Sequence, residues 1–385
     1  MVSETSSKPE LLYVSPVIPG LTGNGLAMRA GMVLEALSEL YRVSLLVVPR
    51  YPTIDQSIPD RFLKCCHRAA IVPHDNDVKR RAAEAGRVFQ GRTFDTIHVF
   101  RLVTLPFARP YFDRVCGRAR LHLDLDDIES KTHRRIASLH ESAGNAASAE
   151  FEKSASYRSL LLETAAFGMF HRIYVCSEAD KAELVHRGKA EVQVLKNAVR
   201  LPASVSRRSF HPGQVFRFLF VGTLGYYPNE DAMKYFCSEI LPILRERAGS
   251  PFRVDIVGAH PPEHLRSLTS EEVCVIGTVP DVQPWYEGCH AVIVPIRAGG
   301  GSRIKILEAF SYQRPVVTTS TGIEGIEAES NRHALIADTP EGFAEACMRL
   351  MSDSEFANYL VANSTDLLNT TYTSEALKRR IAALG

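Results

Sequence analysis

The sequence contains no run of about 18 or more uncharged apolar residues, so no transmembrane helix is expected. Charge of one sign is also missing. Against 45 Lys and Arg stand 44 Asp and Glu, a net charge of +1. No overall field draws the chain to nucleic acid or to an anionic membrane, and nucleic acid is not an expected partner. The first residues, Met1 to Glu10, are polar and lack the apolar region of a signal peptide. Eight cysteines are scattered without a paired framework. Cys65-Cys66-His67 with His74 has no usual zinc spacing, so no metal is assigned and free thiols in a reducing cytosol are expected. The dinucleotide fingerprint Gly-x-Gly-x-x-Gly is absent from the first glycine loop. That loop reads Gly20, Gly23, Gly25, the wrong order, which argues against hydride transfer. There is no low-complexity segment and no short tandem repeat.

What is present is a globular composition, 45% hydrophobic and 23% charged, over 385 residues. That length favours two cores over one. The chain opens with an apolar strand at Leu11 to Ser15, a loop at 16–25, a helical periodicity at Leu26 to Leu40 and a second strand at Tyr41 to Val48. This is a βαβ unit and implies a parallel sheet. Further strands are expected at Phe94 to Phe100, Leu121 to Leu125, Arg172 to Ser177 and Val192 to Val199, with a helix over Glu150 to Phe170. Residues 201–213 are polar and proline-bearing, a linker. A second βα series then begins at Phe216, and helices close the chain at 339–351, 353–365 and 374–384. The expected division is a Rossmann-like domain over 1–205, a second over 206–365 and a final helical segment over 366–385.

The most informative stretch runs from Arg297 to Phe310, Arg-Ala-Gly-Gly-Gly-Ser-Arg-Ile-Lys-Ile-Leu-Glu-Ala-Phe, after an apolar strand at Ala291 to Ile296. It reads as strand, glycine turn, helix, with Ser302 as N-cap and the helix over Arg303 to Tyr312. Gly299, Gly300 and Gly301 would let a ligand approach backbone N–H groups at the positive end of a helix dipole. Gly301, Lys305 and Glu308 have i, i+4, i+7 spacing and would share a face. A glycine turn, the cations Arg303 and Lys305, and one carboxylate suit a diphosphate with a hydroxyl-bearing neighbour. The same pattern also fits a plain turn with a solvated charged face.

Two places stand out in the first half. The strand ending Phe100-Arg101 opens at the carboxyl edge of its sheet, where ligands of open α/β folds bind. Leu121-His-Leu-Asp-Leu-Asp-Asp-Ile-Glu129 runs a strand into four carboxylates. They could orient or deprotonate a hydroxyl, hold a divalent ion, or favour a helix N-terminus.

The segment from Gly299 to Phe310, with Gln313 to Ile326 after it, resembles the donor-binding part of family 4-type retaining glycosyltransferases, in the subgroup with Gly-Gly-Gly-Ser/Thr-Arg-x-Lys. Many members carry two glutamates seven residues apart. The second matches Glu308; the first would fall at Gly300, so this chain lacks it. The resemblance implies the GT-B fold, two parallel-sheet domains across a cleft, with the last helix crossing back to the first domain. It implies that Arg303 and Lys305 meet the diphosphate of a nucleotide-sugar donor and Glu308 meets the ribose. Gly23, Asn24 and Gly25 match the first-domain loop near the donor. Gly222 and Thr223 begin a loop that often bears an Arg-x-x-Lys pair, here replaced by Tyr226, Tyr227 and Asn229. Gly258 ends the next strand, and Gly277, Val279 and Pro280 match a segment that reads the base. His98 matches a histidine of many members, though strand alternation could equally bury it beside Phe100. The acidic run resembles one in some polysaccharide-associated transferases, with Asp127 the chosen residue.

The implied activity is metal-independent, cofactor-free transfer of a sugar with retention. The acceptor would be a lipid-linked saccharide or a small molecule. The chain is expected in the cytoplasm, with peripheral contact to the inner membrane face through Arg114, Arg118, Arg120, Arg134 and Arg135. A sugar-nucleotide epimerase and a non-catalytic nucleotide-sugar-binding protein are the rival readings.

Overall fold

The computed structural model describes residues 8–22, 24–52, 57–112, 119–205, 214–301 and 303–384. Gly23, Ser302, Arg114, Arg118 and residues 206–213 of the expected linker lie outside the described residues.

Two sheets carry the fold. The first holds β1 (Glu10–Ser15), β2 (Arg42–Val47), β3 (Arg68–Ile71), β4 (Thr96–Phe100), β5 (Arg120–Asp126), β6 (Arg172–Val175) and β7 (Glu191–Val194). Its order is β3-β2-β1-β4-β5-β6-β7, all parallel. The second holds β8 (Phe216–Val221), β9 (Phe252–Val257), β10 (Val273–Gly277), β11 (Ala291–Val294), β12 (Val316–Thr318) and β13 (Leu335–Ile336). Its order is β10-β9-β8-β11-β12-β13, again parallel. In both sheets the order reverses beside the first strand of the series, which places a crevice at the carboxyl ends of β1 and β4 and of β8 and β11.

The sequence explains why the strands form where they do. Leu11, Leu12, Tyr13 and Val14 are all fully buried because helices cover both sheet faces, so the strand is a continuous apolar run. The helix Gly25–Leu40 starts where the side chain of Asn24 accepts from Leu26 N at 2.9 Å. The first domain has an apolar layer on each face of its sheet. Leu377 and Ile381 of the last helix, Ser374–Leu384, belong to one of those layers, beside Leu11, Ala30 and Leu37. That is the crossing back that the resemblance implied. The preceding helix Ser354–Thr371 runs through the expected boundary at 365/366 and keeps Leu368 in the second core, so the chain crosses only after Thr371.

Strand β3, the helix Val78–Val88 and β13 are additional to the elements expected. No helix of the described residues is long and apolar enough to cross a membrane. No disulfide joins any of the seven described cysteines.

Candidate active site between the domains

A cleft of about 400 Å³ lies where the carboxyl edges of the two sheets face each other. Asn24, Arg101 and Asp127 of the first domain line it, with Thr223, Lys305 and Glu308 of the second.

The second-domain wall grows out of the glycine turn. The helix begins at Ile304, with Arg303 as an N-cap that makes no side-chain capping bond. The expected start at Arg303 is one residue early, and the expected Ser302 cap lies outside the described residues. Gly301 is not on the helix; its φ of 64° is left-handed, as is the 124° of Gly299. Lys305 and Glu308 do share the cleft-facing side of the helix.

Lys305 is held from two directions. Its Nζ donates to Asn229 Oδ1 at 2.7 Å and lies 4.1 Å from the centre of the Phe220 ring. Asn229 is fixed in turn by donating to Thr223 O at 2.9 Å. Gly222 makes room: a Cβ there would fall 2.7 Å from Lys305 Nζ and 2.9 Å from Asn229 Nδ2. Burial, and then the charge of Arg303, lower the Lys305 pKa to about 7. Burial raises that of Glu308 to about 7, against the hydrogen bond from Tyr286 Oη at 3.3 Å and the attraction of Lys305. Tyr286, a fully buried core side chain, is thus also the partner of Glu308. The Arg303 guanidinium folds back to donate from Nη1 to the carbonyls of Gly300 and Gly301, the latter at 2.8 Å, leaving its buried Nη2 without a partner among the described residues.

The first-domain wall resolves the acidic run. Asp124 is buried and paired with Arg29, whose Nε and Nη2 donate to it at 3.1 and 2.8 Å. Asp126 accepts from Cys176 Sγ at 2.9 Å. Glu129 takes Arg101 Nη2 at 2.8 Å, while Arg101 Nη1 donates to Leu125 O at 2.8 Å. Only Asp126 and Asp127 of the four reach the cleft. Burial raises the Asp127 pKa to about 6, with Arg101 opposing. Arg101 and Asp126 both have left-handed backbones, φ 65° and 60°, rare for residues with a Cβ and a mark of strain at this edge. Among the described residues no group of three or more His, Cys, Asp or Glu is arranged to hold a metal ion.

The two walls touch. A Cβ on Gly300 would fall 2.4 Å from Thr132 Oγ1 and 3.0 Å from Asp127 Cγ; one on Gly301 would fall 3.1 Å from Asp127 Cβ. The room these glycines leave is therefore taken by the other domain as well as being offered to a ligand. A glutamate at position 300 would not fit this arrangement, and Asp127 places a carboxylate there instead. The helix Glu129–Ser142 clamps the contact. Lys131 Nζ bridges Asp180 at 3.0 Å and Glu324 at 2.8 Å, and Arg135 donates to Gly299 O at 2.9 Å and to Glu324 at 3.0 Å. His140 lies against Tyr227 with ring centres 4.2 Å apart.

Several expected site residues are elsewhere. His98 is buried, stacked on Tyr174 at 5.7 Å and edge-on to Tyr13 at 5.3 Å, and does not reach the cleft. Strand alternation turns it with Phe100 into the core, where burial holds the imidazole neutral. A catalytic role for it is corrected to packing. Gly258 serves backbone packing: a Cβ there would meet Gly222 O at 1.6 Å. Gly277, Val279 and Pro280 lie off the cleft wall, and the Gly277 carbonyl accepts from Gly258 N at 2.8 Å. Asn24 and Gly25 do line the cleft, while Gly23 lies outside the described residues. Arg135, expected on a membrane-facing patch, belongs to the interdomain clamp. Thr132 and Glu324 were missed as parts of the contact, and Asn229 as the anchor of Lys305.

Residues 215–353 match the family model for glycosyl transferases group 1. This segment is similar to the group 1 glycosyl transferases, and the two facing sheets have the arrangement of the GT-B fold. The second sheet and the cation-bearing cleft wall lie inside that match. Among solved structures, sucrose-phosphate synthase from Thermosynechococcus elongatus is similar at a TM-score of 0.72 and 13% identity, covering 98% of both chains. HepE from Anabaena, in complex with UDP and glucose, matches at 0.69 and 13%, covering 98% of this chain and 99% of its own. TarM from S. aureus, in complex with fondaparinux, alpha-GlcNAc-glycerol and UDP, matches at 0.70 and 9%, covering 98% and 99%. No curated protein matches the sequence.

Proposed function

We propose that the protein transfers a sugar from a nucleoside-diphosphate sugar to an acceptor hydroxyl with retention of configuration, in the synthesis of a polysaccharide, glycolipid or glycosylated metabolite. The observation that carries this reading is one cleft wall with Arg303, Lys305 and Glu308, facing Asp127 of the other domain. In this reading Arg303 and Lys305 meet the diphosphate, where preorganised charge lowers the barrier to its departure and stands in for a metal ion. Glu308 accepts from the ribose hydroxyls. Asp127 orients the acceptor or the transferred sugar. The acceptor oxygen bonds to the anomeric carbon as the bond to phosphate breaks, and the acceptor proton passes to the departing phosphate on the same face. The neighbours crystallised with UDP fit such a donor. A cytoplasmic protein that meets a membrane only peripherally fits the reading.

The test begins with thermal stabilisation across UDP, GDP, dTDP, ADP and their sugar conjugates. At one hundred times Kd a ligand of the native state adds about 2.7 kcal/mol. The expected result is a shift with one nucleotide family that is diminished in Glu308→Ala. Transfer should be lost in Arg303→Ala with the fold retained. No shift with any nucleotide, or unchanged turnover in Arg303→Ala, overturns the assignment.

A further inference from the structure

Beside the cleft is a second cavity of about 500 Å³, built wholly from the first domain. It sits at the carboxyl edge of the sheet: Pro16 and Val48 follow β1 and β2, and Leu102, Val103 and Phe107 follow β4. The lining presents mostly apolar surface, with Arg50, His74, Asp75, Asn76 and Thr104 also on it, and two of its charged groups are engaged in part, although Arg81 Nε is buried without a partner among the described residues. Arg81 donates from Nη2 to Pro49 O at 2.9 Å and lies 5.1 Å from the centre of the Phe107 ring. Glu129 is held by Arg101 at 2.8 Å. A recess with a largely apolar surface takes ligands by burying their apolar part.

Its position supplies the occupant. Pro16, Arg50 and Val103 line both this cavity and the donor cleft. The Arg101–Glu129 ion pair is the partition, with Arg101 on the cleft side and Glu129 on the cavity side. On the outer side, Val78 and Leu162 are 50% and 56% exposed. Along the helix Ala146–Phe167 that bears Leu162, the side chains of Tyr157 and Leu161 are exposed too. Val78 and Leu162 thus carry the apolar lining out to solvent from a space that adjoins the reaction cleft. A compact sugar would fill neither part, whereas a chain could follow both.

We propose that this cavity seats the hydrocarbon chain of the acceptor, which is therefore an alkyl-bearing amphiphile whose hydroxyl end lies at the Arg101–Glu129 partition and reaches the cleft. The proposal rests on the glycosyltransferase reading and adds the class of acceptor to it.

The test uses methyl, butyl, hexyl and octyl β-D-glucosides, below micelle-forming concentrations, with phenyl β-D-glucoside as the ring-bearing control. Affinity for the full chain is measured by isothermal titration, with and without UDP. Affinity should rise about three- to fourfold per added methylene until the cavity is filled. Leu162→Glu combined with Val78→Glu puts two carboxylates at the outer mouth on side chains already half exposed. It should weaken octyl glucoside about tenfold or more and flatten the chain-length series. An unshifted melting temperature shows that this double variant is folded. Equal affinity at every chain length, or parent-like octyl binding in the double variant, overturns the proposal. If UDP still binds in that case, the acceptor class falls alone and the transferase reading stands. Chain-length dependence without binding of any nucleotide overturns the transferase reading, and the acceptor assignment with it. Tighter binding of phenyl than of octyl glucoside replaces the chain by an aromatic aglycone and overturns the alkyl assignment.

Discussion

Binding of a nucleoside diphosphate should draw a proton onto Lys305, and affinity should fall as the pH rises above 7. The free protein holds this ammonium beside Arg303 in a desolvated wall, which lowers its pKa to about 7 from an ordinary 10.5. At pH 8 about one molecule in ten carries the charge, and at pH 9 about one in a hundred, so binding that needs the cation loses about 1.4 kcal/mol per pH unit. A diphosphate beside Nζ raises the pKa again, so the proton is taken up on binding. Glu308 titrates near the same pH with the opposite sign, since its pKa of about 7 means that it gains its charge as the pH rises. Above pH 8 that carboxyl is ionised with or without ligand, so the window from pH 8 to 9 isolates the lysine. Titration calorimetry with UDP in two buffers of different ionisation enthalpy counts the protons. The expected uptake is about 0.9 per site at pH 8, with a tenfold rise in Kd per pH unit. Lys305→Arg, whose charge does not titrate, should flatten the profile. A flat profile in the parent, proton release, or the same slope in Lys305→Arg would refute the reasoning.

Asp127→Asn keeps the shape of the contact and removes the carboxylate. Turnover should drop about 100-fold or more while UDP affinity stays within about twofold, and the parent's loss of rate as the pH falls through about 6 should be missing from the variant. Gly300→Glu places a side chain where Thr132 and Asp127 now sit, so small-angle scattering should report a more open molecule that still binds nucleotide but transfers poorly. Glu324→Gln removes the charge shared by Lys131 and Arg135. In the parent, burial opposes ionisation, but the bonds from Arg135 and Lys131 prevail and depress the Glu324 pKa to about 2. Its contribution is present above the ordinary value of 4.5 and is lost as the pH falls toward 2. The variant should weaken closure by about 1–3 kcal/mol, seen as a shift toward the open form in scattering at pH 7.

The sequence was informative where local pattern decides the outcome. Buried strands such as Leu11 to Val14 are continuous apolar runs because both sheet faces are covered, and the strand, turn, helix order at 291–311 follows from apolar residues meeting three glycines. It was least informative where partners lie far apart in the chain. Asn229 and Lys305 are 76 residues apart, and Arg135 and Glu324 are 189 apart. Nothing periodic in either segment marks such a pairing. Asn229 did leave a signal, a polar side chain in the loop where a basic pair was expected. His98 was open between two readings. It matches a histidine of the resembling family, and the alternation of β4, the other reading, is what sends its ring inward with Phe100. The acidic run could not be apportioned from sequence because its four carboxylates differ only in which neighbour each meets.

The return of the chain after Thr371 has a mechanical consequence. The second domain hangs from two strands of backbone, one leaving after β7 and one returning ahead of the last helix. They meet where Val199 N donates to Tyr372 O at 2.8 Å, in a parallel bridge of Val199 with Thr373. A body on a single tether can swivel freely, whereas two tethers joined at one place leave a pivot near that junction. The clamp at Lys131, Arg135 and Glu324 is joined to this pivot through a short segment, since Glu327, shortly after Glu324, donates from its backbone N to Tyr372 Oη at 2.7 Å, so turning at the junction is felt at Glu324. Cutting the returning strand between Thr371 and Ser374 would leave both sheets intact but would remove the constraint that brings Asp127 back to the same place beside Gly300 at each closure.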